Sequence, residues 1–140
     1  MFVGVHEHSL DSKGRVVLPA DFRALVVNKG FIMELDDCLG LWSEEGFEQV
    51  SAEIERQRES QQISITAFRE FFASVSDVKL DSAGRISLPK GLLASKGFES
   101  QVVITGALTR VEIWPAERYL TEQGTTEAKA EVAAAVRSFL

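Results

Sequence analysis

LDSKGRVVLP occupies residues 10–19, and LDSAGRISLP occupies residues 80–89. Seven of the ten aligned positions are identical, and Val16 aligns with Ile86 as a near match. The two stretches lie 70 residues apart in a chain of 140, so the sequence reads as two copies of one unit. A 70-residue half would bury too little of its surface to be stable alone. The two copies are therefore expected to share one core.

Outward from these stretches, each copy repeats the same plan. Asp11-Ser12-Lys13-Gly14 and Asp81-Ser82-Ala83-Gly84 are turn chemistry. Glycine tolerates positive φ, and aspartate bonds the backbone just ahead of it. Residues 2–8 and 15–18 favour strands, which predicts a hairpin closed by the turn, and residues 75–80 and 85–88 repeat it. Pro19 and Pro89 end their strands and suit the first turn of a helix. Phe22, Leu25 and Val26 give the first such helix an apolar face; Leu92 and Leu93 do so for the second. Strands follow at 31–33 and 39–42, with Asp36-Asp37 turning between them. Their counterparts are 102–105 and 111–114, where the offset has grown to 72, which predicts a small loop insertion. Ser43 is placed to cap a helix running to about Arg58, with Glu44 and Glu45 favoured in its first turn. Trp42 and Phe47 have the spacing of a hydrophobic staple. Phe68, Phe71, Phe72 and Val75 give a second helix one apolar face. A last helix carries Ala128, Val132, Val136 and Phe139 on one stripe.

The expected organisation is a first repeat with its following helix over 1–58 and a connecting helix over 59–74. A second repeat covers 75–123, and a C-terminal helix 124–140. The fold class is α+β with a mainly β core. Four short strands cannot close a barrel; eight can, in a pseudo-two-fold barrel that interleaves both copies and leaves few edges.

The composition, 45% hydrophobic and 26% charged, is that of an ordinary globular protein. No apolar run approaches the ~20 residues of a membrane-spanning helix. The opening MFVGVHEHSLD has neither the basic nor the apolar region of a signal peptide, so a cytoplasmic protein is expected. Cys38 is the single cysteine, which excludes an internal disulfide and any zinc site needing two or more cysteines. The net charge of −6 argues at first against a polyanionic partner. The acidity is local, however. Residues 34–60 hold nine acids against Arg56 and Arg58, and the rest of the chain is close to neutral.

The residues alone leave two readings of Arg15 and Arg85. An arginine at the end of a tight turn can reach a phosphate or a guanine edge bidentately. Equally, Asp11–Arg15 and Asp81–Arg85 can be ion pairs that lock their turns. His6 and His8 share a strand face but lack further ligands, so packed or exposed histidines are the better reading. Cys38 reads as a small buried thiol, the acidic run as a solvated helix face, and the phenylalanines as core or subunit interface. An Asp11/Asp81 carboxylate dyad in a small hydrolase is the enzymatic alternative, opposed by the arginine four residues beyond each aspartate.

Met1-Phe2, Gly4, His8, Asp11, Lys13-Gly14-Arg15, Pro19 and Phe22-Arg23 resemble, in order, the opening pattern of MraZ proteins. Cys38-Leu39, residues 69–72, Asp81, Gly84-Arg85, residues 102–106 and Glu112-Ile113-Trp114 resemble its later blocks. The resemblance spans about residues 1–120. It implies a transcriptional regulator with an AbrB-like fold, an internally duplicated double-split, swapped-hairpin β-barrel with flanking helices. It further implies a nucleoid-associated, ring-shaped homo-oligomer that binds short direct repeats upstream of a division and cell-wall gene cluster including its own gene. It implies no enzymatic activity, no cofactor and no small-molecule substrate. On that resemblance Lys13, Arg15 and Arg85 are expected to contact DNA, with Asp11, Gly14, Asp81 and Gly84 shaping the loops. An antitoxin-like protein-binding module is the alternative use of the same fold. Two departures stand out: Ala83 replaces the lysine of the first copy, and Met33-Glu34 stands where relatives often carry Arg-Gly.

Overall fold

The computed structural model describes all 140 residues. The first copy supplies strands β1 (Val5–Ser9) and β2 (Arg15–Val17), a 3-10 helix (Ala20–Val26), β3 (Gly30–Glu34), β4 (Leu39–Ser43) and helix α1 (Glu44–Glu59). Helix α2 (Ile65–Ala73) leads into the second copy: β5 (Ser76–Val78), β6 (Arg85–Ser87), α3 (Lys90–Ser95), β7 (Gln101–Gly106), β8 (Val111–Pro115) and α4 (Ala116–Glu122). Helix α5 (Thr126–Arg137) closes the chain.

The expected hairpins are present as turns but not as strand pairs. The Asp11 N–H donates to the Arg15 carbonyl at 2.9 Å, and Asp81 repeats the bond to Arg85 at 2.9 Å. Beyond the turn the strands part. β1 pairs with β7 of the second copy, β5 pairs with β3 of the first, and β2 pairs with β6. The result is a six-stranded antiparallel sheet, β1-β7-β8-β4-β3-β5, and a separate β2-β6 ribbon. Each copy thus lends its first strand to the other copy's β-hairpin. The physical reason is core formation. Val16, Leu18, Ile86 and Leu88 on the ribbon pack in one cluster with Ile32, Leu39, Leu41, Val102, Ile104, Val111 and Ile113 from the sheet, and with Phe22 and Leu25. Neither copy has this core by itself.

The register fixes a pseudo-two-fold axis. In the ribbon Val16 lies opposite Ile86, its own sequence equivalent. In the sheet Gly40 lies opposite Glu112, again its equivalent at the offset of 72. The two extra residues fall between α3 and β7, where 96–100 replaces the shorter 27–29.

Helix α1 begins as expected, with the Ser43 hydroxyl accepting from the Gly46 N–H at 3.0 Å. The staple takes a different partner. Phe47 stacks on Phe31 at 4.4 Å, the cross-strand neighbour of Trp42, while the Trp42 ring folds back over Gly40. Phe47 also meets Phe71 and Phe72, so the α1–α2 pair is fastened to β3 by aromatic contacts. β1 is shorter than expected, because Gly4 at φ +94° turns the chain and leaves Phe2 bridged only to Leu108.

On the far side of the sheet Cys38, Val103 and Trp114 form a small second core. Cys38 is 3% exposed, and burial first, then the nearby Glu112 charge, pushes its thiol up to about 12. Since the thiolate is the reactive form, Cys38 is expected to resist a thiol reagent such as Ellman's at pH 8. It should react stoichiometrically once denaturant unfolds the chain. Native-state labelling at the unfolded rate would show this core to be open.

Candidate nucleic-acid interface

Alternation along β2 and β6 sends Val16 and Ile86 inward, with Arg15, Val17, Arg85 and Ser87 on the opposite, outer face. Arg15 pairs with Ser87, and Arg85 pairs with Val17. The two arginines are therefore diagonal neighbours on one face, with α-carbons about 7–8 Å apart. The duplicated motif builds a single surface rather than two separate reading hairpins.

Each loop is held at three levels. Gly14 and Gly84 take φ of +75° and +76°, which a side chain would strain. Asp11 Oδ1 accepts from the Lys13 and Arg15 N–H groups, both at 2.9 Å. Asp81 Oδ1 does the same for Ala83 and Arg85, at 2.9 Å each. Finally, each loop is clamped by the other copy. The Leu88 N–H donates to the Gly14 carbonyl at 2.9 Å, and the Leu18 N–H to the Gly84 carbonyl at 3.0 Å.

The aspartates also orient the arginines. Arg15 Nε donates to Asp11 Oδ2 at 2.7 Å, and Arg85 Nε to Asp81 Oδ2 at 2.7 Å. Only Nε is engaged, so the terminal nitrogens of both guanidinium groups have no protein partner. The ion pair and the free fork coexist: one edge locks the side chain, and the other faces outward. The backbone N–H of Arg15, then its side chain and the Lys13 N–H, holds the Asp11 carboxyl below its usual range, and Asp81 is held likewise by Arg85 and Ala83. A carboxyl with a lowered folded pKa stabilises above its ordinary value near ~3.9 and loses that contribution as pH falls through the lowered one. The amide resonances of Arg15 and Arg85 should therefore shift together only at pH below ~3.9. A midpoint above it would mean that the carboxylates are not held by these bonds.

The carboxylate dyad does not form. Gly14 and Gly84 sit at opposite ends of a ribbon about 13 Å long, at roughly 3.3 Å per residue, and Asp11 and Asp81 lie out at those two ends. Lys13 is exposed at one loop tip, and Ala83 occupies the equivalent tip. His6 packs its ring edge-on against Phe22 at 5.2 Å, and burial, then His6, lowers the His8 pKa. Glu34 pairs with Lys96 at 3.1 Å across the copies.

Two residues at this surface are not predicted from the motif. Arg23 reaches the second loop from the first copy, its guanidinium lying against Gly84 while its Nε donates to the Leu18 carbonyl of its own copy at 3.0 Å. Lys90 lines one groove with Lys13 at the first loop. Both act across copies, so neither is visible inside a single ten-residue repeat. Extending the alignment past Pro19 and Pro89 would have flagged both as unlike their equivalents, Leu93 and Ala20.

A family model described as "MraZ protein, putative antitoxin-like" matches this chain twice, over residues 1–69 and 71–137. The chain belongs to the MraZ family. The two matches divide it where the motif repeats, and they extend through helix α5, past the 120 residues of the initial resemblance. Among the MraZ relatives, "Transcriptional regulator MraZ" of Acetivibrio thermocellus is 36% identical over 133 residues, covering 94% of this chain and 92% of the relative. The protein of the same name from Natranaerobius thermophilus is 38% identical over 137 residues, with the same coverage. That from Herpetosiphon aurantiacus is 38% identical over 126 residues, covering 86% and 85%. The swapped strands and two-copy core are the AbrB-like, mainly β architecture of MraZ proteins. No helix is long and apolar enough to cross a membrane.

Proposed function

We propose that this chain is a sequence-specific DNA-binding transcriptional regulator and that the β2–β6 ribbon is its reading element. The observation that carries the reading is the pair Arg15 and Arg85, side by side on one outer face with their terminal nitrogens free. A two-stranded ribbon fits the major groove, and a guanidinium fork can contact guanine O6 and N7 together. The names of the MraZ relatives point the same way. Lys13 supplies a phosphate contact, which positions without specifying. Asp11, Gly14, Asp81 and Gly84 shape the loops.

One ribbon carries little net charge, and phosphate neutralisation supplies much of DNA affinity. A ring-shaped homo-oligomer on short direct repeats overcomes this, since linked sites raise avidity by roughly 10²–10⁴. Exposed apolar side chains support self-association: Leu120, Val132 and Phe139 have no cover within the protomer. The target on this reading is the DNA just upstream of the protein's own gene, in a division and cell-wall cluster, and the protein acts on the nucleoid in the cytoplasm.

Titration against that upstream DNA and a scrambled duplex of the same composition, at several salt concentrations, tests the proposal. Saturable binding is expected for the first, with affinity falling linearly in log–log against salt. Equal affinity for both duplexes would return the Asp–Arg pairs to a purely structural role.

A further inference from the structure

We infer that the ribbon engages each DNA site in one fixed polarity, set by Lys13 and Lys90 at one end and Arg23 at the other. The inference rests on the DNA-binding proposal and concerns what that proposal leaves open. A ribbon with a true two-fold axis through Val16 and Ile86 would bind equally well after rotation by 180°, so it could not tell the two directions along a site. The arginines, the aspartates and the serines at 12 and 82 all obey the axis. Several other positions break it, among them Val17 against Ser87 on the outer face, Asp21 against Gly91 and Ser9 against Lys79; three of them set different groups against the two loops.

Lys13 is matched by Ala83, Lys90 by Ala20, and Arg23 by Leu93. At the first end Lys13 and Lys90 line a groove of about 700 Å³ with Leu10, Leu93 and Phe98. Both lysines are exposed, and neither has an ion-pair partner; Glu99 lines the same groove without pairing to either. At the second end the tip is uncharged, and Arg23 crosses from the first copy. Its Nε is fixed on the Leu18 carbonyl at 3.0 Å, and its guanidinium lies so close that a β-carbon on Gly84 would come 2.7 Å from Cζ. That leaves the terminal nitrogens of Arg23 free on a braced side chain. The equivalent contact at the first end is apolar, with Leu93 Cδ1 3.1 Å from a β-carbon on Gly14.

The two ends thus offer phosphates different chemistry. One presents two mobile point charges on flexible stems; the other presents a planar fork in a set direction, and the two are not interchangeable. Because phosphate contacts fix orientation on the duplex, turning the ribbon end for end moves the fork off its phosphate.

The test uses tethered cleavage on the full-length protein. Cys38 is buried, so an iron–EDTA reagent can be attached selectively at Ser12→Cys or Ser82→Cys, both exposed and related by the axis. On the DNA upstream of the gene, each tether should cut one side of every bound site, the two tethers on opposite sides. A triple variant, Ala20→Lys, Arg23→Leu and Ala83→Lys, gives the second end the lysine pair of the first, and all three positions are exposed. It should still bind, and each tether should then cut both sides. Two-sided cutting by the unsymmetrised protein, or one-sided cutting by the triple variant, overturns the inference while leaving DNA binding intact. Equal affinity of the untethered native protein for the upstream and scrambled duplexes would instead overturn the DNA-binding proposal itself.

Discussion

Arg15→Ala and Arg85→Ala should weaken binding to the upstream DNA by comparable factors, and the double variant should lose specific binding altogether. Read as two separate hairpins, the more basic first loop would be expected to dominate. The ribbon register removes that expectation, because both guanidinium groups stand on one face and, on the proposed function, meet the same stretch of groove. A good bidentate contact discriminates by about 1–3 kcal/mol, or roughly 5- to 150-fold. Repetition around a ring would multiply the loss per protomer. Folding should be little affected, since both ion pairs lie at the surface with roughly a third of each side chain exposed. Near-unchanged unfolding temperatures with lost binding would establish the role; unchanged binding in the double variant would remove the ribbon from the interface. Lysine at either position should not restore binding, because a point charge cannot make the paired contact.

A large effect on stability is expected at a glycine. Gly40 lies on the pseudo-two-fold axis, and the six-membered ring of Trp42 covers it so closely that a β-carbon would come 2.3 Å from Cη2 and 2.4 Å from Cζ3. Trp42 is 5% exposed, and the Arg110 guanidinium lies 5.9 Å from its ring. The indole cannot swing aside without disturbing β3, β4 and the seat of α1. Overpacking of this kind costs about 1–3 kcal/mol. Gly40→Ala should therefore lower the thermal midpoint by on the order of 10 °C. Gly91→Ala is the control, because nothing lies within 4 Å of its added carbon. Equal effects from the two substitutions would mean that the Trp42 contact is not what makes Gly40 necessary.

The repeat was legible because the loop chemistry is local. Aspartate bonding two N–H groups and a glycine at positive φ are demands that a ten-residue stretch must meet by itself, so both copies write them out. Strand positions were legible for the same reason, through alternation and β-branched residues. Strand partners were not. The turn at Asp11–Gly14 has the sequence of a hairpin, and its first hydrogen bonds are those of a hairpin. The choice between pairing β1 with β2 or with β7 is made by the shared core, which depends on residues a hundred positions away. The same limit applied at the surface. Asp11 and Arg15 could be assigned to each other from spacing alone, whereas Arg23 on Gly84 and Lys90 beside Lys13 depend on how the copies interlock. Phe47 kept its predicted place in the first turn of α1 but took Phe31 rather than Trp42, because the absent side chain at Gly40 had already claimed the indole.

The trans bonds between Gly14 and Leu88 and between Gly84 and Leu18 have a consequence for synthesis. A nascent chain exposes Lys13 and Arg15 early, when it has neither a partner for β2 nor, until β7 has left the ribosome, one for β1. The early half by itself therefore lacks the paired ribbon, and so does a fragment released by a premature stop. On the proposed function, incomplete copies lack the reading ribbon and do not compete with finished protein for DNA, and the emergence of the second copy decides when that ribbon forms.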